Sequence, residues 1–212
     1  MSSSPSDFLW VLIVLAAIIG VVALFVTITK KQARKIQDNY QMLADKLGLS
    51  VITTSAVWYK ANVPKLSGNY KGRQIDVETE LKGSGEDQDH HTEIVLQTKN
   101  KSYSLQLTKE YWISNVGKAL FKSQDIQIND PFFDKKYIIK SDNEMFAKRF
   151  FNQEMKRLLT DFHPKFNGEI VVEPFKIHFT QIYQINSSKT YDLTLEAIEM
   201  LTKIANRVED LQ

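Results

Sequence analysis

The chain has 212 residues, 43% of them hydrophobic, and 27 Lys and Arg offset 25 Asp and Glu to leave a net charge of +2. Such an even mixture argues against a nucleic-acid partner, which calls for a basic patch or stripe. The absence of cysteine excludes disulfides, thiolate catalysis and cysteine metal sites together.

Residues 1–7 are a short polar N-terminus, and Phe8 to Thr29 then form one apolar run, FLWVLIVLAAIIGVVALFVTIT, with no charge inside it. As an α-helix this run is roughly 33 Å long, enough to cross a bilayer core of about 30 Å. A cleaved signal peptide fits less well. The n-region carries no Lys or Arg, the run is too long, and Lys30 stands where a cleavage site belongs. Residues 8–29 therefore read as a retained transmembrane helix.

Lys30, Lys31, Arg34 and Lys35 follow this run and no Lys or Arg precedes it. The positive-inside rule then predicts a single-pass protein of the cell (inner) membrane, with its N-terminus outside and residues 30–212 cytoplasmic. The same four cations suit anionic headgroups, so membrane lipid is one expected partner. Ala16, Gly20 and Ala23 recur at i, i+4 and i+7, a spacing that lets a second helix approach closely. A membrane-protein complex, or a homo-oligomer formed through this helix, is the other.

Helical spacing continues through residues 30–48 with Ala33, Ile36, Tyr40, Leu43 and Leu47, until Gly48 ends it. Residues 49–212 read as one soluble α+β domain of two layers, an antiparallel sheet with packed helices. From Leu49 to Thr108 the period is two, through VITTSAV, KLSGNY, RQIDVETE, TEIVLQTK and SYSLQLTK, which predicts an antiparallel meander with one buried face. A short helix is expected over 112–122 and a strand over 134–140. Ser141-Asp-Asn-Glu144 has the form of a capping box. It predicts a helix that turns Met145, Phe146, Phe150, Leu158 and Leu159 inward and ends at His163-Pro164 and Asn167-Gly168. Two strands, EIVVE and FKIHFTQIY, precede a last helix from about Tyr191 to Leu211.

Candidate chemistry is sparse. His90-His91 beside Glu86, Asp87 and Asp89 resembles a metal cluster in composition, but adjacent loop histidines cannot easily share one ion, and a solvated acidic loop explains them. His163 and His178 stand alone. Gly83-Ser-Gly85 lacks the third glycine of a nucleotide fingerprint. Asp76, Glu78 and Glu80 alternate as a solvent-facing strand face would. No nucleophile elbow or phosphate loop occurs. The expectation is a protein without a catalytic site, cofactor or metal.

Two segments exceed filler. Gly68-Asn-Tyr70-Lys-Gly72-Arg73 encloses an aromatic and a cation between two glycines, and predicts a tight turn between strands. Asn129-Asp-Pro-Phe-Phe133-Asp134 predicts a turn in which Phe133 enters the core and Asp134 bonds local backbone. This order of motifs, followed by a helix with the pair Leu158-Leu159, resembles uncharacterised bacterial membrane-anchored proteins of unknown function over residues 65–210. The resemblance implies the fold and brings no catalytic residues. The function expected from the whole chain is a single-pass accessory or scaffold subunit whose cytoplasmic domain binds a protein of a membrane complex. The alternative is a membrane-tethered module for a small ligand or lipid.

Overall fold

The computed structural model describes residues 5–53, 64–83, 88–109 and 125–212, with the side chains of 5–8 and 11 outside that description. The helix expected over 112–122 lies outside it, as do Glu86 and Asp87. Helix α1 runs unbroken from Pro5 to Leu47. Anchor and juxtamembrane segment are thus one rod of roughly 65 Å. Nothing interrupts it until Gly48, whose φ of +68° lies in the left-handed region that glycine enters freely. Side chains from Leu12 to Ile28 stand exposed, whereas Tyr40, Leu43 and Ala44 are at most 1% exposed. The lower end of the rod is therefore part of the domain core.

Eight described strands follow: β1 (Ser50–Thr53), β2 (Pro64–Tyr70), β3 (Arg73–Lys82), β4 (Asp89–Gln97), β5 (Leu105–Lys109), β6 (Tyr137–Ser141), β7 (Gly168–Glu173) and β8 (Lys176–Ile182). They form one antiparallel sheet in the order β1-β2-β3-β4-β8-β7-β5-β6. One face carries Leu66, Ile75, Val77, Ile94, Leu96, Leu107, Ile139, Ile170 and Phe179, all buried in a single core with the helices. The other carries Asp76, Glu78, Glu80, Glu93, Glu173 and His178, as a period of two requires. The architecture is α+β in two layers, behind a long apolar N-terminal helix.

The meander expected through 108 holds only to β4. Strand β5 leaves β4 and pairs with β6 and β7, and the β7–β8 hairpin fills the gap. Asn100, fully buried, redirects the chain. Its side-chain amide donates to the carbonyls of Tyr103 (2.7 Å) and Glu173 (3.0 Å), and its oxygen accepts from the amides of Ser102 and Tyr103. Alternation states which face a residue takes and is silent on which strand lies alongside.

The remaining α-helices among the described residues are a single turn α2 (Pro131–Asp134), α3 (Glu144–Phe150), α4 (Gln153–Phe162) and α5 (Ser188–Glu209). The one helix expected after Ser141 is two. Asn143, not Ser141, caps α3 by accepting from the amide of Phe146 (2.9 Å), and Ser141 instead donates to the carbonyl of Ser104 (2.6 Å). A second cap at Asn152, accepting from the amide of Met155 (2.9 Å), starts α4 and breaks the run after Phe151. Helix α3 buries Phe146, Ala147 and Phe150 and leaves Met145 outward, 71% exposed, while in α4 Leu159 is buried and Leu158 half-buried. Helix α5 begins at a capping box of Ser187 with Thr190, three residues before the expected start.

Candidate functional site

The features expected from the sequence to meet a membrane lie on α1. Lys30, Lys31, Arg34 and Lys35 are exposed. Thr27 and Thr29, at the end of the apolar run, donate back to the carbonyls of Ala23 (2.8 Å) and Phe25 (3.1 Å), which satisfies their hydroxyls without water. At about 100° per residue, Ala16, Gly20 and Ala23 centre roughly 140° around the helix from Tyr40, Leu43, Ala44 and Leu47. The small-residue stripe thus points away from the chain's own domain. A Cβ placed on Gly20 would have no neighbour within 4 Å.

A chain of hydroxyls ties the rod into the domain. The hydroxyl of Tyr40 bonds Thr79 (2.9 Å), Thr79 bonds Thr92 (3.0 Å), and Thr92 donates to the carbonyl of Tyr183 (2.7 Å). The Tyr183 hydroxyl continues it to Thr194 on α5 (3.0 Å). Burial pushes the Tyr40 phenol up to about 12, so it stays protonated. Asn39 adds a bond to the carbonyl of Ile185 (3.2 Å).

The Gly68–Arg73 segment is a hairpin that grips α5. Lys71 (φ +51°) and Gly72 (φ +79°) form a two-residue turn with both φ positive, and Asn69 accepts from the amide of Gly72 (3.0 Å). Gly68 lets β2 pass close to Leu49, whose Cδ2 would lie 3.1 Å from a Cβ. Three side chains then reach α5. Tyr70 donates to Glu199, as does Lys71 (2.6 Å), and Arg73 takes Glu209 in a two-nitrogen grip while also bonding Asn206 (2.7 Å). Glu209 further accepts from the Thr98 hydroxyl and the Lys99 amide, each at 2.7 Å. Arg73 first, then these donors, hold the Glu209 carboxyl down to about 2. Lys71 and Tyr70 likewise hold Glu199 below its usual value. The arrangement is a clasp between hairpin and terminal helix.

In the second segment, Phe133 is 3% exposed and packs against the rings of Tyr137 (centroids 4.8 Å) and Phe151 (5.2 Å). The Asp134 carboxylate accepts from the amides of Ile128 and Asp130, both at 3.1 Å. Asp130 caps α2 and pairs with Lys156 (2.8 Å).

His90 and His91 stand next to each other on β4, so they face opposite sides of the sheet. On the outer face His178 lies between Glu93 (3.2 Å) and Glu173 (3.6 Å), and its hydrogen bond is the first cause holding the Glu93 carboxyl low. No group of three metal-ligating side chains occurs among the described residues. Between α4 and α5 runs an open groove of about 380 Å³. Leu158, Phe162, Leu195 and Met200 line its apolar part, and Lys165 pairs with Glu196 (2.6 Å) at its rim.

Sequence reasoning did not reach Glu199, Asn206, Glu209, Asn100 or the hydroxyl chain. The signal for the first three was a polar stripe on α5 at i, i+7 and i+10, which has meaning only once its partner hairpin is known.

No family model matches the chain, and no curated protein matches its sequence. Among solved structures, the chain is similar to the crystal structure of the mycobacterial trehalose monomycolate transport factor A, TtfA, with a TM-score of 0.54 and 13% identity over 82% of this chain and 96% of that one. At that identity the likeness shows a shared fold.

Proposed function

We propose that this protein is a single-pass membrane-anchored accessory or scaffold subunit, without catalytic activity, whose cytoplasmic domain binds a protein of a membrane complex. The carrying observation is α1. One helix passes from an exposed apolar stretch of mean hydropathy 2.9 directly into the domain core, so no loop separates the domain from the segment that would span the membrane. The basic collar favours a cytoplasmic domain with its cations against anionic lipid. The stripe of Ala16, Gly20 and Ala23, turned away from the domain, leaves room for a partner helix or a second copy. A fold shared with a protein named as a transport factor supports an accessory role over a catalytic one. The α4–α5 groove has the form that receives a partner's amphipathic helix. Its volume also falls in the range of small-ligand sites, and this favours the second reading, a tethered lipid or small-ligand module.

Affinity purification in mild detergent separates the two. A stoichiometric membrane protein supports the first reading; a lone chain carrying an apolar small molecule supports the second. Protease added to right-side-out vesicles is expected to leave residues 36–212 intact, and efficient digestion from outside would reverse the orientation.

A further inference from the structure

The turn between β7 and β8 holds a phenylalanine where glycine would be less strained. Glu173 and Lys176 pair across the two strands, so Pro174 and Phe175 are the central residues of the turn. Proline first and a positive φ second, +69° at Phe175, is the pattern of a type II turn, whose second central position favours glycine or asparagine. The backbone there is fixed without help from the side chain. The Phe175 amide donates to the carbonyl of Asn100 (2.7 Å), and the Phe175 carbonyl accepts from the amide of Thr98 (2.9 Å). The Asn100 side-chain amide donates to the carbonyl of Glu173 (3.0 Å). A glycine at 175 would keep all three bonds and relieve the left-handed strain. The phenyl ring instead stands 59% exposed. A bulky side chain held in this backbone region and turned to solvent is an outlier that points to a use outside the fold.

We propose that Phe175 is the anchor by which the domain docks on its protein partner, inserted in an apolar pocket of that partner with a rim of carboxylates. The inference rests on the reading of the domain as a protein-binding module and names the surface it would use. Charge selects the rim. Lys99 and Lys101, on the segment that braces the turn, are exposed and make no ion pair among the described residues. Of the carboxylates at this end, Glu173 is held by Lys176 (3.1 Å), Glu209 by Arg73, and Asp142 turns to the amide of Ser104 (3.1 Å). That leaves the exposed Asp210 against two lysines. An aromatic set among cations supplies a side chain to desolvate and charges that steer and fix register. The turn is also out of reach of the bilayer that α1 would cross. Tyr40 bonds Thr79, and Thr79, Thr92 and Gln181 stand opposite one another across β3, β4 and β8, at one level. Further down, Leu49 packs at Gly68, opposite Ile75, so the way down α1 is also the way from Gln181 to Lys176. Upward from Tyr40, nine residues of helix reach Lys31, about 13 Å away. Downward from Gln181, six residues of strand reach Phe175, about 20 Å away. The basic collar and Phe175 thus stand at opposite ends, and what Phe175 meets is a protein and not lipid.

The test uses the full chain, co-expressed with the membrane protein that co-purifies with it in mild detergent. Phe175→Gly is expected to lower recovery of that protein about tenfold, with its melting temperature within about 4 °C of wild type or above it. Phe132→Ala removes another exposed phenylalanine and should leave recovery intact. Lys99→Ala combined with Lys101→Ala should lower recovery about threefold at low salt, with no deficit left in about 0.5 M salt. A photo-reactive benzoylphenylalanine placed at position 175 should crosslink to the same protein, and one placed at 132 should not. Equal recovery from wild type and Phe175→Gly would overturn the anchor and leave protein binding by the domain standing. A fall in melting temperature of more than about 4 °C for Phe175→Gly would make the ring part of the fold and overturn the anchor as well. Recovery that the lysine pair does not affect at low salt would remove the carboxylate rim. If no protein co-purifies with the wild type, the protein-binding reading fails and this inference with it.

Discussion

The Glu209 carboxylate, on the last residue of α5, receives both terminal nitrogens of the Arg73 guanidinium from a hairpin 136 residues away in sequence. Both side chains are largely shielded, 12% and 20% exposed, and Glu209 also serves the backbone at Lys99. The pair joins the end of α5 to β3 and to the chain leaving β4 at one point. A two-nitrogen grip of this kind suits arginine and not lysine.

Glu209→Gln is expected to cost about 1.5–3 kcal/mol at pH 7, since charge-assisted bonds are replaced by neutral ones. The folded carboxyl is held at about 2, below its ordinary 4.5, so its contribution is complete above pH 4.5 and is lost as pH falls toward 2. Urea unfolding of wild type and Glu209→Gln should differ clearly at pH 7 and converge near pH 2. Arg73→Lys should recover only part of the wild-type stability. A gap that persists unchanged at pH 2 would show that the charge of Glu209 is not what stabilises the clasp.

Phe132 and Phe133 are neighbours with opposite fates, 84% and 3% exposed. Phe133→Ala empties a site between the rings of Tyr137 and Phe151 and should cost about 3–5 kcal/mol. Phe132→Ala should change stability by no more than about 0.5 kcal/mol. Asp134→Ala strips two backbone amides of their acceptor and should fall between, at about 1–3 kcal/mol. Chemical denaturation of the three variants gives the order directly.

Tyr40→Phe keeps the buried ring and removes only the bond to Thr79, leaving Thr79 its bond to Thr92. A loss of about 1 kcal/mol is expected. It should appear as earlier release of α1 from the domain in hydrogen exchange at residues 36–47, with the β7–β8 amides unchanged. Uniform loosening of the whole domain would instead make the hydroxyl chain a general core element and not the seat of the rod.

Gly20→Leu keeps the anchor apolar and insertable while filling the side that faces away from the domain. Recovery of a membrane partner, or of the dimer, in mild detergent should fall at normal protein abundance. Val22→Leu places the same leucine side chain on the other side of the helix and should leave recovery intact. Equal recovery from both variants would assign association to the soluble domain.

What was legible in the sequence was what depends on neighbours along the chain. The length and composition of 8–29, the switch from period 3.6 to period 2 after Gly48, and the alternation that sends Ile75 and Val77 inward and Asp76 and Glu78 outward all follow from local geometry. So does the two-glycine hairpin at Gly68–Arg73. Only the tertiary structure decided which strand lies beside which, because a strand's pattern specifies a face and any strand with a matching face can pair with it. It placed β8 and not β5 beside β4, split one helical run at Asn152, and turned Met145 out to solvent. It also gave Arg73 its partner: the motif shows a cation next to a turn, and Glu209 becomes its counter-charge only when α5 packs across the sheet.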